Sequence, residues 1–136
     1  MEKSSSKVLH ITLWIVQVLL GAMFIMAGGM KSFQPIPELA KMLPWAGAVP
    51  SGLVRFIGLS ELLGGLGLLL PSLLRILPNL TPLAAWGLAL IQVLAALFHI
   101  SRGESSVIGM NLVLLLLAVF IAWGRTKKVP ILTKIA

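Results

Sequence analysis

The sequence predicts an all-α integral membrane protein: a four-helix up-down bundle with a short interfacial segment between the first two helices. Three observations predict it. Of 136 residues, 58% are hydrophobic and only 11% charged, against roughly 25% charged in a soluble domain, so the chain cannot clothe a water-facing globule. Mean hydropathy is +1.03. The apolar residues fall into four runs long enough to cross a bilayer, joined by connections so short that successive helices must be antiparallel neighbours. Residues 1–136 are therefore expected to form a single transmembrane domain.

The first run, Val8 to Met30, is interrupted only by His10, Thr12 and Gln17. Its basic start, Lys3 and Lys7, resembles a signal peptide, but 23 residues exceed the roughly 7–15 of a signal h-region. No convincing small-x-small cleavage site follows, so a retained span is expected. Lys31 to Pro50 is the longest connection, and a short helix from Pro37 would place Leu39, Met42 and Leu43 on one face. Either an interfacial helix or an irregular apolar plug at the bundle mouth fits that pattern. The second span is Leu53 to Leu70, closed by Pro71. Thr81 and Pro82 read as an N-cap and first helical position, opening a third span to Ile100. The fourth, Val107 to Gly124, is ended by Gly124 and the basic residues Arg125, Lys127 and Lys128.

The net charge of +7, with no Asp, would suggest nucleic acid in a soluble chain. Here the charges are too sparse, and no nucleic-acid partner is expected. An even number of spans places both termini on one side. That side collects Lys3, Lys7, Arg75, Arg125, Lys127, Lys128 and Lys134, while Lys31, Lys41, Arg55 and Arg102 fall on the other. The excess marks the termini as cytoplasmic. Trp14, Trp86 and Trp123 would lie towards that side, with Trp45 at the opposite interface. The bilayer is the first partner.

Charge inside a membrane is costly and asks for a reason. Glu61 lies eight residues into its span, about 12 Å deep at roughly 1.5 Å per residue. Gly58 and Gly65 share its helix face, which lets a neighbour approach closely and turns Glu61 into the bundle. Gln92 sits at matching depth, His99 seven residues on along the same face, and Asn111 one turn into the fourth span. With Lys31 and Arg55, these populate the outer half; the inner half holds Gln17, His10 and little else. Glu61 could pair with Arg55, His99 or Lys31 simply to fix helix register. Alternatively the cluster forms an outward-opening pocket, floored by Glu61 and Gln92 and rimmed by His99 and the cations, able to handle protons or hold the polar head of a lipid-soluble ligand. Arg102-Gly103-Glu104 reads as a tight turn whose side chains could join the rim.

Without cysteine there is no disulfide, thiol redox centre or thiolate metal site. The two histidines fall at opposite ends of their spans, against a bis-histidine haem, and one membrane-depth carboxylate is too few for a di-iron site. No metal and no intrinsic cofactor are expected. No phosphate loop, nucleophile elbow or HExxH motif occurs, so no catalytic residue can be assigned. The glycines of Gly64-Gly65-Leu66-Gly67 suit close helix packing.

In their order and spacing, several segments resemble the DoxX-like family of small four-helix bacterial membrane proteins. They are Ala27-Gly28-Gly29-Met30-Lys31, Arg55-Phe56-Ile57-Gly58-Leu59-Ser60-Glu61-Leu62, Leu68-Leu69-Leu70-Pro71, Leu80-Thr81-Pro82-Leu83-Ala84-Ala85, His99-Ile100-Ser101-Arg102-Gly103-Glu104, Asn111 and Ala122-Trp123-Gly124-Arg125. The resemblance covers about residues 15 to 125. It implies four spans in a bacterial cytoplasmic membrane and a link, through some relatives, to quinone-reducing redox complexes. Most relatives have no assigned activity. The family-like polar positions, Lys31, Arg55, Glu61, His99, Arg102, Glu104 and Asn111, largely coincide with those selected by depth.

Three readings of function follow: a binder of a quinone-like molecule or subunit of a membrane redox complex, a non-enzymatic scaffold or assembly factor, and a small transporter, which would need a homo-oligomer. The converging polar residues favour the first.

Overall fold

The computed structural model describes residues 2–134; Met1, Ile135 and Ala136, at the edges of the single domain expected over 1–136, lie outside the described residues. The described chain is helical: α1 (Glu2–Phe33), α2 (Ile36–Met42), a 3-10 turn (Pro44–Gly47), α3 (Ser51–Leu74), α4 (Leu80–Ser101) and α5 (Ser105–Trp123), which continues as a π-helical turn (Gly124–Lys128). Four of these helices are long and apolar enough to cross a membrane. The chain is a multi-pass membrane bundle. Most side chains facing outward are Leu, Ile, Val, Met and Phe, as a lipid-facing surface requires.

Helix α1 packs most extensively on α3, and α4 on α5. The first pairing rests on glycines spaced seven apart. A Cβ at Gly28 would fall 2.6 Å from Gly58 O, one at Gly58 2.7 Å from the Lys31 backbone, and one at Gly65 2.8 Å from Gly21 O. Only hydrogen fits, so the two backbones touch directly. This is how small residues substitute for a hydrophobic driving force in lipid. Gly64 and Gly67 likewise admit Leu88 and Ala84 of α4, as expected of that glycine run. The core joins the pairs through Leu20, Phe24, Leu68, Ala85, Leu88, Ala89, Ala118, Ile121 and Ala122.

Helix boundaries differ from the sequence reading in three instructive places. Pro71 does not close the second span: it lies inside α3, which runs on to Leu74. Proline removes the N–H that would bond Gly67 O, and the Thr81 hydroxyl donates to that carbonyl instead, at 3.2 Å. Thr81 is therefore not an N-cap; Asn79 precedes α4, and Thr81 is fully buried within it. Nor does Gly124 end the fourth span. Its backbone is right-handed helical, and its missing side chain makes room for Leu13, since a Cβ there would lie 2.6 Å from Leu13 Cδ1.

The connection from α1 to α3 is helical, not an irregular plug, yet it does cover the bundle mouth. Leu39, Ala46 and Val54 are fully buried against one another, tying α2 and the 3-10 turn down onto the start of α3. Met42 is exposed.

Candidate functional site

Away from the chain termini, the helix pairs α1–α3 and α4–α5 part around a cavity of about 860 Å³. At the other end α1 and α5 stay in contact, Leu13 packing on Gly124. The volume lies within the roughly 300–1,000 Å³ of small-molecule sites. Apolar walls come from Met23, Phe24, Ala27, Leu53, Phe56, Ile57, Ile91, Leu94, Ala95, Phe98, Val107, Met110 and Leu114, and Met42 to Trp45 form the lid. Six of the eight sequence candidates line it: Lys31, Glu61, Gln92, His99, Glu104 and Asn111.

The six form three local arrangements. Lys31 Nζ donates to Glu61 Oε2 at 2.7 Å, with both side chains nearly buried; of the partners proposed for Glu61, the structure selects Lys31. Asn111 Nδ2 donates to Gln92 Oε1 at 2.9 Å, joining α5 to α4, and Asn111 Oδ1 is buried without a partner among the described residues. Finally, His99 Nδ1 lies 2.6 Å from Glu104 Oε2.

That last contact follows from how α4 ends. Gly103 adopts φ 71°, Gly103 N–H donates to Ile100 O, and Glu104 N–H returns to His99 O at 2.9 Å. This is the Schellman arrangement, in which a left-handed glycine folds the next residue back over the last turn. Glu104 is thereby set above His99. Arg102 Nε donates to the other carboxylate oxygen at 2.6 Å. The His99 bond first, and the Arg102 bond second, hold the Glu104 carboxyl below its ordinary 4.5.

Arg55 and Arg102, the remaining candidates, do not line the cavity. Arg55 Nη1 donates to Lys31 O and Gln34 O at 3.0 and 2.7 Å. These carbonyls close α1 and have no helical donor, so Arg55 caps that terminus and meets its partial negative charge. Arg102 stacks over the Phe98 ring at 5.5 Å while holding Glu104.

The other half of the bundle is far from empty, against the expectation of Gln17, His10 and little else. Arg125, read from the sequence as one of the solvent-side cations after the fourth span, is 3% exposed. Its Nε donates to Gln17 Oε1 at 2.5 Å, and Gln17 Nε2 donates to Leu68 O at 2.8 Å and towards Ser72 Oγ at 3.4 Å. Ser72 and Thr81 hydroxyls meet at 2.7 Å. Since Thr81 gives its proton to Gly67 O, Ser72 is the donor there. Donors thus run in one direction from the guanidinium to the carbonyl freed by Pro71. Arg125 Nη1 also contacts His10 Nδ1 at 2.9 Å and Val129 O at 2.9 Å. A guanidinium has no acceptor, so His10 accepts at Nδ1. Nothing in the spacing of Gln17, Ser72, Thr81 and Arg125 signals this network; Pro71, which orphans a carbonyl at mid-helix, was the one available clue.

No curated protein and no solved structure matches the chain. A family profile does, over residues 15–121, nearly the whole of the bundle including all six candidates that line the cavity. By that match the chain belongs to the DoxX-like family.

Proposed function

We propose that this protein is a membrane-embedded binder of a lipid-soluble, quinone-like molecule, serving alone or as a subunit of a membrane redox complex. The observation that carries this reading is the cavity between the helix pairs, where apolar walls meet a polar floor and rim contributed by four helices. A ligand with a ring-sized polar head and an apolar tail matches that division. Glu61, Gln92 and Asn111 would meet the head, with His99, Glu104 and Lys31 around it. In this reading Arg55 and Arg102 support the site without touching ligand. Both termini face the cytoplasm across the bacterial cytoplasmic membrane, and the cavity opens towards the opposite side.

Purified protein titrated with a short-chain benzoquinone is expected to bind it saturably, quenching Trp45 in the lid. Ala27→Phe, which fills the cavity, removes binding while leaving the helical spectrum intact. Absence of saturable binding by the unaltered protein would overturn the proposal. Since the chain has no cysteine, single cysteines at Ser5 and Gly103, probed with an impermeant maleimide in spheroplasts, test orientation: only the second should react.

A further inference from the structure

Hydrogen-bond polarity in the cavity goes beyond the question of whether a ligand binds. Glu104 presents a carboxylate to His99 Nδ1 at 2.6 Å. An ionised carboxylate accepts only, so the imidazole must donate at Nδ1, and a neutral ring then carries its lone pair on Nε2. His99 lines the cavity. Nε2 has no protein partner among the described residues, and it is not a fully buried atom. Glu61, which also lines the cavity, repeats the pattern: Oε2 accepts from Lys31 Nζ, while Oε1 has no protein partner among the described residues. With the His99 ring neutral, two unserved acceptors therefore belong to residues that line one cavity.

The charges in that cavity are already matched. Lys31 pairs with Glu61 and Arg102 with Glu104, so an ionic head group would find no unpaired counter-charge. A neutral head is selected. The cavity also offers donors, Gln92 Nε2 and the remaining Lys31 protons. A ligand hydroxyl can accept from these and donate to His99 Nε2 or Glu61 Oε1. A carbonyl can accept from the same donors but has no proton to give, which leaves both acceptors unserved.

Building on the reading of the cavity as a ligand site, we infer that it prefers the hydroxyl-bearing, reduced form of a quinone-like molecule to the oxidised, carbonyl-bearing form. His99 and Glu61 would be the residues that discriminate, with Glu104 positioning His99 by fixing its tautomer.

The test compares a decyl benzoquinol with the matching benzoquinone, bound to purified protein in nanodiscs without oxygen. The quinol is expected to bind about tenfold more tightly, the size of one well-placed hydrogen bond to a buried acceptor. His99→Phe should narrow the gap by weakening the quinol, leaving only the part of the preference that Glu61 supplies. Equal affinities in the unaltered protein, or tighter quinone, would overturn the inference and leave the ligand site standing. If neither form binds, the site reading fails and the inference with it. The unaltered protein decides between these outcomes, whatever the folding of the variant.

Discussion

Arg125 donates to Gln17 across 108 residues of chain, binding the end of the last helix to the first. The pair sits in the half of the bundle where α1 and α5 meet, and it starts the donor chain that ends on Gly67 O. Among the described residues no carboxylate faces Arg125; its acceptors are Gln17, His10 and Val129. Among the described residues Gln17 thus supplies the side-chain oxygen that meets this buried cation. Gln17→Leu is expected to destabilise the protein by about 3 kcal/mol, the cost of stranding a buried charge. The double variant Gln17→Leu, Arg125→Leu should be more stable than Gln17→Leu alone. Thermal unfolding in detergent checks both.

Adjacent glycines in α1 should respond with opposite sign. Gly28 lies against the backbone of Gly58 and Leu62, which cannot yield, whereas nothing lies within 4 Å of a Cβ at Gly29. Gly28→Ala should cost about 3 kcal/mol through overpacking. Gly29→Ala should gain about 0.5 kcal/mol by restricting the unfolded chain. Unfolding midpoints of the two single variants in the same detergent provide the comparison.

The Lys31–Glu61 pair makes a third case. Both groups are nearly buried, so Lys31→Met leaves an uncompensated carboxylate and should destabilise by about 3 kcal/mol. Adding Glu61→Gln removes that charge and should restore most of the loss. A double-mutant cycle on unfolding measures the coupling.

Acidification should loosen the α4–α5 turn. The Glu104 carboxyl is held below its ordinary 4.5, first by His99 and then by Arg102. A group lowered on folding adds stability above its unfolded value, and loses it as pH falls through the folded one. The turn is therefore supported at neutral pH and weakens below about pH 4.5. Amide exchange at Gly103 to Ser106 should quicken on acidification relative to Glu104→Gln, which lacks this dependence.

Much of this architecture is legible in the amino-acid sequence. The four apolar runs identified four helices, and the depth of Glu61, Gln92, His99 and Asn111 brought together residues that do line one cavity. Depth could not separate Arg55 from that group, because a cation at a helix C-terminus and one in a pocket occupy the same level. The burial of Arg125 is hidden in the sequence for a related reason: a basic residue after an apolar run resembles an interfacial anchor unless its partners are known. Those partners, Gln17 and His10, lie on the opposite end of the chain. Pro71 and Gly124 read as helix ends by their usual local preferences. Tertiary contacts overrode both, since Thr81 meets the carbonyl that Pro71 frees and Leu13 occupies the space that Gly124 leaves.

The glycine seam between α1 and α3 makes the two walls of the cavity mechanically unequal. Where backbone rests on backbone, neither helix can turn or slide without driving a carbonyl into its neighbour. The α4–α5 pair is secured to α1 beside Gln17 and Leu13 and released from it further along. One pair is thus a doorpost and the other a leaf hung on the Arg125 end. Admission of a bulky molecule from the side would then be set by how far α5 swings, and by how tightly Asn111 and Gln92 latch that leaf together.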